Sequence, residues 1–150
     1  MHIHKEGKNE FILLKSAFDI DDIEYFIRPW INNKDTVEFL TLWEISRNPD
    51  FIINNVYDIQ EQVGLNTYNL TVDKWAETTN GIGVQPFKNK SGSDVMMSVE
   101  IALDFLSWLS PNVKFFMLDE YKKLKRKDSS DYILSLIRNL DLLNMPETRK

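Results

Sequence analysis

Apolar residues recur at helical spacing over several stretches of the chain. Ile23, Phe26, Ile27 and Trp30 fall on one face of a helix, and Pro29 is expected to end or kink it. Four further stretches repeat the pattern and predict buried stripes: Val37, Leu40, Thr41 and Ile45; Ile101, Ala102, Phe105 and Leu109; Val113, Phe116, Met117, Tyr121 and Leu124; Ile133, Leu136, Ile137 and Leu140.

Polar residues at the starts of these stretches predict where the helices begin. Asp35 and Glu38 are spaced as a capping box, in which each side chain accepts from a free backbone N–H. Thr71 is expected to cap a helix that ends at Asn80, and Ser98 another. Ser110 is followed by proline, which suits a first helical turn, so a new helix is expected there.

Short apolar runs predict strands. Residues 11–14 are predicted to be a strand or an extended entry segment after a polar tail over residues 1–10. Residues 84–87 and 95–97 are separated by the polar segment 88–94, which predicts a hairpin with a polar tip.

Two short helices precede this hairpin. They are expected over residues 56–63, with Gly64 as a left-handed cap, and 71–79, joined by a turn rich in Asn and Thr. Two short helices followed by a hairpin outline a winged helix-turn-helix. The predicted fold class is therefore α+β, mostly helical, a winged helix-turn-helix-like domain with a small β-hairpin and C-terminal helices.

Charge is unevenly distributed over the 150 residues, whose net charge is −5. Residues 1–63 carry six Lys or Arg against twelve Asp or Glu, whereas residues 114–127 carry six against two. The overall sign opposes nucleic-acid binding, but a basic face is still compatible with this distribution.

Several classes of function find no support in the sequence. There is no cysteine, and the two histidines, His2 and His4, both lie near the N-terminus, so we expect no metal site, no cofactor and no catalytic triad. The longest apolar run is far shorter than the roughly 20 residues of a membrane span, and residues 1–10 do not resemble a signal peptide. A cytoplasmic protein that is not an enzyme and has no membrane partner is expected.

Three separated stretches resemble the KilA-N family of phage and bacterial DNA-binding domains. Residues 30–44 read W-I-N-N-K-D-T-V-E-F-L-T-L-W-E, where relatives have a tryptophan followed by T-[IV]-E-F-L-x-x-W-E. Residues 64–83, G-L-N-T-Y-N-L-T-V-D-K-W-A-E-T-T-N-G-I-G, are similar to the family's G-L-N-x-F-x-L-T-P-K-x-W-I-E-x-T-x-A-I-G. Residues 101–125 resemble its I-A-x-E-F-A-S-W-I-S-P-E-F-K pattern and the basic residues that follow.

The resemblance covers residues 11–127 and leaves 128–150 as a short C-terminal helix and tail. It implies a fold similar to the fungal APSES domain, with 71–79 as recognition helix and 84–97 as wing. It also implies a regulator of double-stranded DNA of phage or prophage origin, sometimes antirepressor-like. The wing departs from the family: the arginine, paired glycines and histidine of relatives are replaced by F-K-N-K-S-G-S-D-V-M-M-S, which adds Asp94.

Two groups of residues are the candidate DNA contacts. Donors at a protruding loop tip suit phosphate contact, and asparagine and lysine side chains can pair with base edges. The alternative is ordinary turn chemistry and solvated lysines, with Asp73 and Glu77 opposing phosphate on the same helix. The first group is Asn66, Tyr68, Asn69 and Lys74, and the second is Lys88, Asn89, Lys90 and Ser91.

Two further sets have competing interpretations. The four tryptophans Trp30, Trp43, Trp75 and Trp108 are expected in the core rather than stacked on single-stranded bases. A basic cluster follows Pro111 and could track a phosphate backbone, although compensation of a helix dipole together with solvation is the favoured explanation. Its members are Lys114, Lys122, Lys123, Lys125, Arg126 and Lys127.

Two alternatives to DNA binding stay open. The acidic N-terminal half and the divergent wing fit a protein-binding derivative of the fold, such as a phage inhibitor of a host protein, with a basic partner. The face formed by Ile133, Leu136, Ile137 and Leu140 could also pair with a second copy, giving a homodimer through the C-terminal helix.

Overall fold

The computed structural model describes residues 3–6, 9–90 and 92–124. The chain divides into two units, Met1–Leu109 and Ser110–Lys150, and the boundary falls inside the predicted 11–127 domain.

The elements confirm an α+β, mostly helical chain. In order they are β1 (Ile3–Glu6), β2 (Asn9–Leu13), α1 (Leu14–Phe18), α2 (Ile23–Ile31), α3 (Lys34–Arg47), a 3-10 turn (Ile53–Asn55), α4 (Val56–Gln62), α5 (Val72–Thr79), β3 (Val84–Asn89), β4 (Gly92–Ser98), α6 (Val99–Leu109) and α7 (Pro111–Leu124).

The strands form an antiparallel sheet in the order β1-β2-β4-β3. The predicted hairpin is confirmed, and its strands extend into the segment expected to be its tip, because Lys88 pairs with Ser93 and Asn89 with Gly92. The expected polar tail is also partly a strand, since β1 pairs with β2. An edge strand is held by backbone hydrogen bonds and needs no apolar stripe, so the sequence pattern does not predict it.

The core of the first unit lies where the helices meet the sheet. Trp30, Trp43 and Trp75 are buried in it as predicted, whereas Trp108 is 45% exposed and its predicted core position is wrong. Trp30 also stacks edge-on against Phe105, with ring centroids 5.2 Å apart. Trp108 lies one turn beyond Phe105 on the same side of α6, and near the helix end it borders a groove with Tyr25, Phe26, Arg28, Pro29 and Leu109 instead of entering the core.

Local capping signals are mostly confirmed. Thr71 Oγ1 accepts from Lys74 N at 3.1 Å, and Ser98 Oγ accepts from Ile101 N at 3.2 Å. The capping box at Asp35 is wrong, because Asn33 is the N-cap and its Oδ1 accepts from Asp35 N at 2.8 Å. Because Asn33 caps α3, Asp35 lies in the first turn of the helix, where its negative charge still suits the helix dipole.

Pro29 lies inside α2 and does not end it, so of the two predicted effects, an end or a kink, the first is wrong. The helix continues for two residues to Ile31, and both Trp30 and Ile31 are fully buried. A proline so near the C-terminus costs one backbone hydrogen bond, which the burial of these two large side chains offsets.

Three predicted stripe residues face outward in the described structure. Phe26 is 37% exposed, Ile45 54% and Phe116 63%. In α3 the reason is specific: Trp43 and Glu44 turn inward, which rotates Ile45 away from the core. Ile133, Leu136, Ile137 and Leu140, like Lys125, Arg126 and Lys127, lie outside the described residues.

Asp94, expected in the polar tip, is instead 4% exposed and fixes α1 to the hairpin. Its carboxylate accepts from Lys15 N at 2.7 Å, from Ser16 N at 3.1 Å and from Ser16 Oγ at 2.8 Å. These donors open α1, where a negative charge is favoured by the free N–H groups. The residue that departs from the family pattern therefore has a structural role in this chain.

No helix among the described residues is both long and apolar enough to cross a membrane.

Candidate nucleic-acid interface

The exposed end of the β3–β4 hairpin carries the second group of candidate residues. Lys88, Asn89 and Lys90 are all exposed there. A strand advances about 3.3 Å per residue, so Lys88 lies roughly 13 Å along β3 from Val84. Ser91, the fourth member of this group, lies outside the described residues.

A third lysine, which the sequence did not single out, lies at the same end of the hairpin. Lys15 Nζ is 3.8 Å from the position that a Cβ on Gly92 would occupy. The hydrogen bonds that Lys15 N and Ser16 N donate to the Asp94 carboxylate hold the start of α1 beside β4. No signal in the sequence predicts this placement, because it follows from the pairing of β2 with β4 and not from local spacing.

The hairpin end is not uniformly basic. Asp19, Asp21 and Asp94 line a shallow groove there together with Lys15, Ser16, Asn89 and Ser93. Asp94 is engaged by α1, whereas Asp19 and Asp21 are exposed. Lys15 therefore shares its groove with three carboxylates, whereas Lys88 and Lys90 do not line it and offer a polyanion the more favourable contacts.

The first group of candidates lies between α4 and α5 and at the start of α5. Asn66 and Asn69 are exposed, and Tyr68 is half-buried against the core. Lys74 lies over the Tyr68 ring, its Nζ 4.2 Å from the centroid, so these two predicted residues are in direct contact. The ring attracts the ammonium group, so this contact helps to fix the position of the Lys74 charge.

Asn32 holds the turn that carries this group. Its Oδ1 accepts from Leu70 N at 2.7 Å, and its Nδ2 donates to Leu70 O at 3.0 Å. Its Nδ2 also lies 3.4 Å from Asn69 Oδ1, a long hydrogen bond. One amide from the end of α2 thereby fixes the backbone just before α5 begins.

The outward face of α5 is acidic. Asp73, Lys74 and Glu77 are exposed on it. Glu77 borders a groove between α5 and β3 that contains Asp50 and no lysine or arginine; the other lining residues are Asn48, Ala76, Asn80, Gly81, Ile82, Gln85 and Pro86. This surface repels phosphate and suits a cationic group.

The three stretches that resemble the KilA-N family meet in the core. Trp30 Nε1 donates to Asp104 Oδ2 at 3.1 Å, joining the first stretch to the third. Glu44 joins the first to the second: it is fully buried and accepts from Gly83 N at 2.7 Å and from Ile82 N at 3.0 Å. Many of the residues that carry the resemblance thus serve the fold, and they do not bear on DNA contact.

Among the described residues, no group of three or more His, Cys, Asp or Glu side chains is arranged to hold a metal ion. No protein-family model matches the sequence, and neither the curated proteins nor the solved structures give a significant match. The likeness to KilA-N domains therefore stays a prediction from the three stretches.

Proposed function

We propose that this protein binds double-stranded DNA with the β3–β4 hairpin as a wing, in a winged helix-turn-helix arrangement similar to that of KilA-N domains. The observation that carries the proposal is the pair of exposed lysines, Lys88 and Lys90, at the end of a hairpin whose Gly92 lies beside Lys15. Flexible cations on a protruding segment are the groups that contact phosphates. The resemblance implies a phage or prophage regulator as the biological role.

The surface chemistry predicts that the protein binds DNA with only a weak preference for sequence. Phosphate contacts position a protein on the duplex but carry no sequence information. On the α5 side Lys74 and the asparagines Asn66 and Asn69 are the candidate base-reading donors, and Asp73 and Glu77 are exposed on the same helix as Lys74. The proposal therefore assigns most of the binding free energy to the hairpin and little to α5.

Replacing both hairpin lysines tests this assignment. We expect Lys88→Ala/Lys90→Ala to weaken binding to random duplex DNA roughly tenfold or more at low salt, because two phosphate contacts are lost. The slope of log association constant against log salt concentration is negative, and its magnitude should decrease by about two, one unit for each lysine. Fluorescence anisotropy with a labelled duplex across a salt series measures both quantities.

A charge-matched variant separates a specific contact from a general loss of positive charge. Lys122→Ala/Lys123→Ala removes the same charge from exposed positions on α7 and should leave the salt slope nearly unchanged. Absence of binding by the unmodified protein at low salt would contradict DNA binding. Equal losses for the two double variants would contradict the hairpin as its site and favour the basic cluster on α7.

A second function is favoured by one observation, the groove between α5 and β3 with Asp50 and Glu77 on its rim. A basic segment of a partner protein fits this chemistry, as the protein-binding interpretation of the sequence requires. A pull-down from nuclease-treated bacterial lysate should then retain a protein on the unmodified chain and lose it on Asp50→Lys/Glu77→Lys. A partner retained equally by both chains would exclude this groove as the site.

A further inference from the structure

Helix α7 carries three large apolar side chains that are exposed in the structure. Phe115 is 73% exposed, Phe116 63% and Leu118 60%. Large apolar residues that lie close together on one helix, each more than half exposed, are typical of an interaction surface. Charged residues on the same helix indicate what kind of partner fits.

Two of the three exposed residues define a seam along α7. Phe115 and Leu118 are three residues apart and share one face of the helix. If Phe115 is given the heptad position a, Leu118 is d, Lys114 is g and Asp119 is e. Phe116 then lies at position b, outside the seam.

We propose that α7 pairs in parallel with α7 of a second copy of this chain, with Phe115 and Leu118 as the two layers of the contact. In a parallel pair a g side chain faces the e side chain five residues further along the partner helix. Lys114 of each copy then lies opposite Asp119 of the other, so the symmetric dimer contains this ion pair twice.

Charge selects the parallel over the antiparallel arrangement. In an antiparallel pair a g flank faces the partner's g flank, and on α7 that flank contains Lys114 and Tyr121 with no carboxylate. Asp119 is 49% exposed and already lies 3.4 Å from Lys123 Nζ on its own helix. A carboxylate has two oxygens and room for a second cation, so this ion pair does not prevent contact with Lys114 of the second copy.

The pairing should be weak and reversible. The seam has two apolar layers, and the next a position is Lys122, which lowers stability while fixing register. The protein is thus expected to shift from monomer to dimer as its concentration rises.

Crosslinking through single cysteines tests the seam and its direction. The chain contains no cysteine, so Lys122→Cys introduces a single thiol at the next a position and leaves both apolar layers intact. In a parallel pair the two thiols are neighbours, and a short thiol-to-thiol crosslinker should give a covalent dimer in high yield. Phe116→Cys is the control, also exposed but on another face, and should give little.

Reversing the charges tests the ion pair. Lys114→Glu should raise the dimer dissociation constant roughly threefold to tenfold in sedimentation equilibrium, because two attractions become repulsions. Lys114→Glu/Asp119→Lys should recover most of the loss. Monomers at every concentration, equal crosslinking of the two cysteine variants, or no recovery in the double variant would each overturn the proposal. None of these measurements involves DNA, so their failure is separate from that of the proposed function.

Discussion

Replacing Glu44 by alanine should lower the free energy of unfolding by about 4 kcal/mol, a large share of the roughly 5–15 kcal/mol typical of a domain. The Glu44 carboxylate is fully buried and accepts hydrogen bonds from Ile82 N, from Gly83 N and from Asn48 Nδ2 at 2.8 Å. Alanine leaves the two backbone N–H groups without an acceptor, and each unsatisfied buried donor costs about 1–3 kcal/mol. Chemical denaturation monitored by tryptophan fluorescence measures the change.

Two companion variants identify the cause. Glu44→Gln retains one acceptor oxygen and should lose about half as much stability as Glu44→Ala. Glu38 lies on the same helix but is exposed, so Glu38→Ala should change stability by about 0.5 kcal/mol or less. A loss at Glu44→Ala no larger than that at Glu38→Ala would show that the carboxylate does not hold the Ile82–Gly83 backbone.

Placing a methyl group on Gly83 should cost about 3 kcal/mol. A Cβ at this position would lie 2.6 Å from Ile101 Cδ1 and 2.8 Å and 2.9 Å from two ring carbons of Trp43. Both neighbouring side chains are buried and cannot move away without disturbing the packed core. Gly83→Ala should therefore unfold at a clearly lower denaturant concentration.

A second substitution tests whether the clash is the reason. Ile101→Val removes Cδ1, the nearest atom, and alone should cost about 1 kcal/mol. The double variant Gly83→Ala/Ile101→Val should lose about 1 kcal/mol less stability than the sum of the two single losses, because the deleted methyl group makes room for the new one. Strictly additive losses would locate the cost of Gly83→Ala elsewhere, for example in the hydrogen bond from Gly83 N to Glu44.

Local signals in the sequence predicted much of the fold. The caps at Thr71 and Ser98 and the hairpin depend on neighbouring residues alone, and all three are present in the structure. Periodicity was less reliable at choosing the buried face. Ile45 follows the helical pattern of α3 but points outward, because Trp43 and Glu44 make the contacts that set the rotation of that helix. Trp108 lies on the same face of α6 as Ile101 and Phe105, but it is near the end of the helix and is 45% exposed.

The candidate site was predicted only in part, for a similar reason. The exposed lysines at the hairpin tip follow from a polar segment between two apolar runs. Lys15 could not be found this way, because β2–β4 pairing and the hydrogen bonds of Asp94 bring it to the tip from a distant part of the sequence. The acidic groove beside α5 likewise combines Asp50 with Glu77, which no local pattern connects.

The most direct test of the proposed DNA contact is to map it residue by residue. Titration of an isotope-labelled sample with a short random-sequence duplex should shift the backbone amide NMR signals of Lys88, Asn89, Lys90 and Lys15 first, with smaller shifts near Lys74. The shifts should disappear at high salt, because phosphate contacts release counterions. Shifts confined to α7, or to the groove at Asp50 and Glu77, or none at low salt, would contradict the hairpin as the DNA-binding surface.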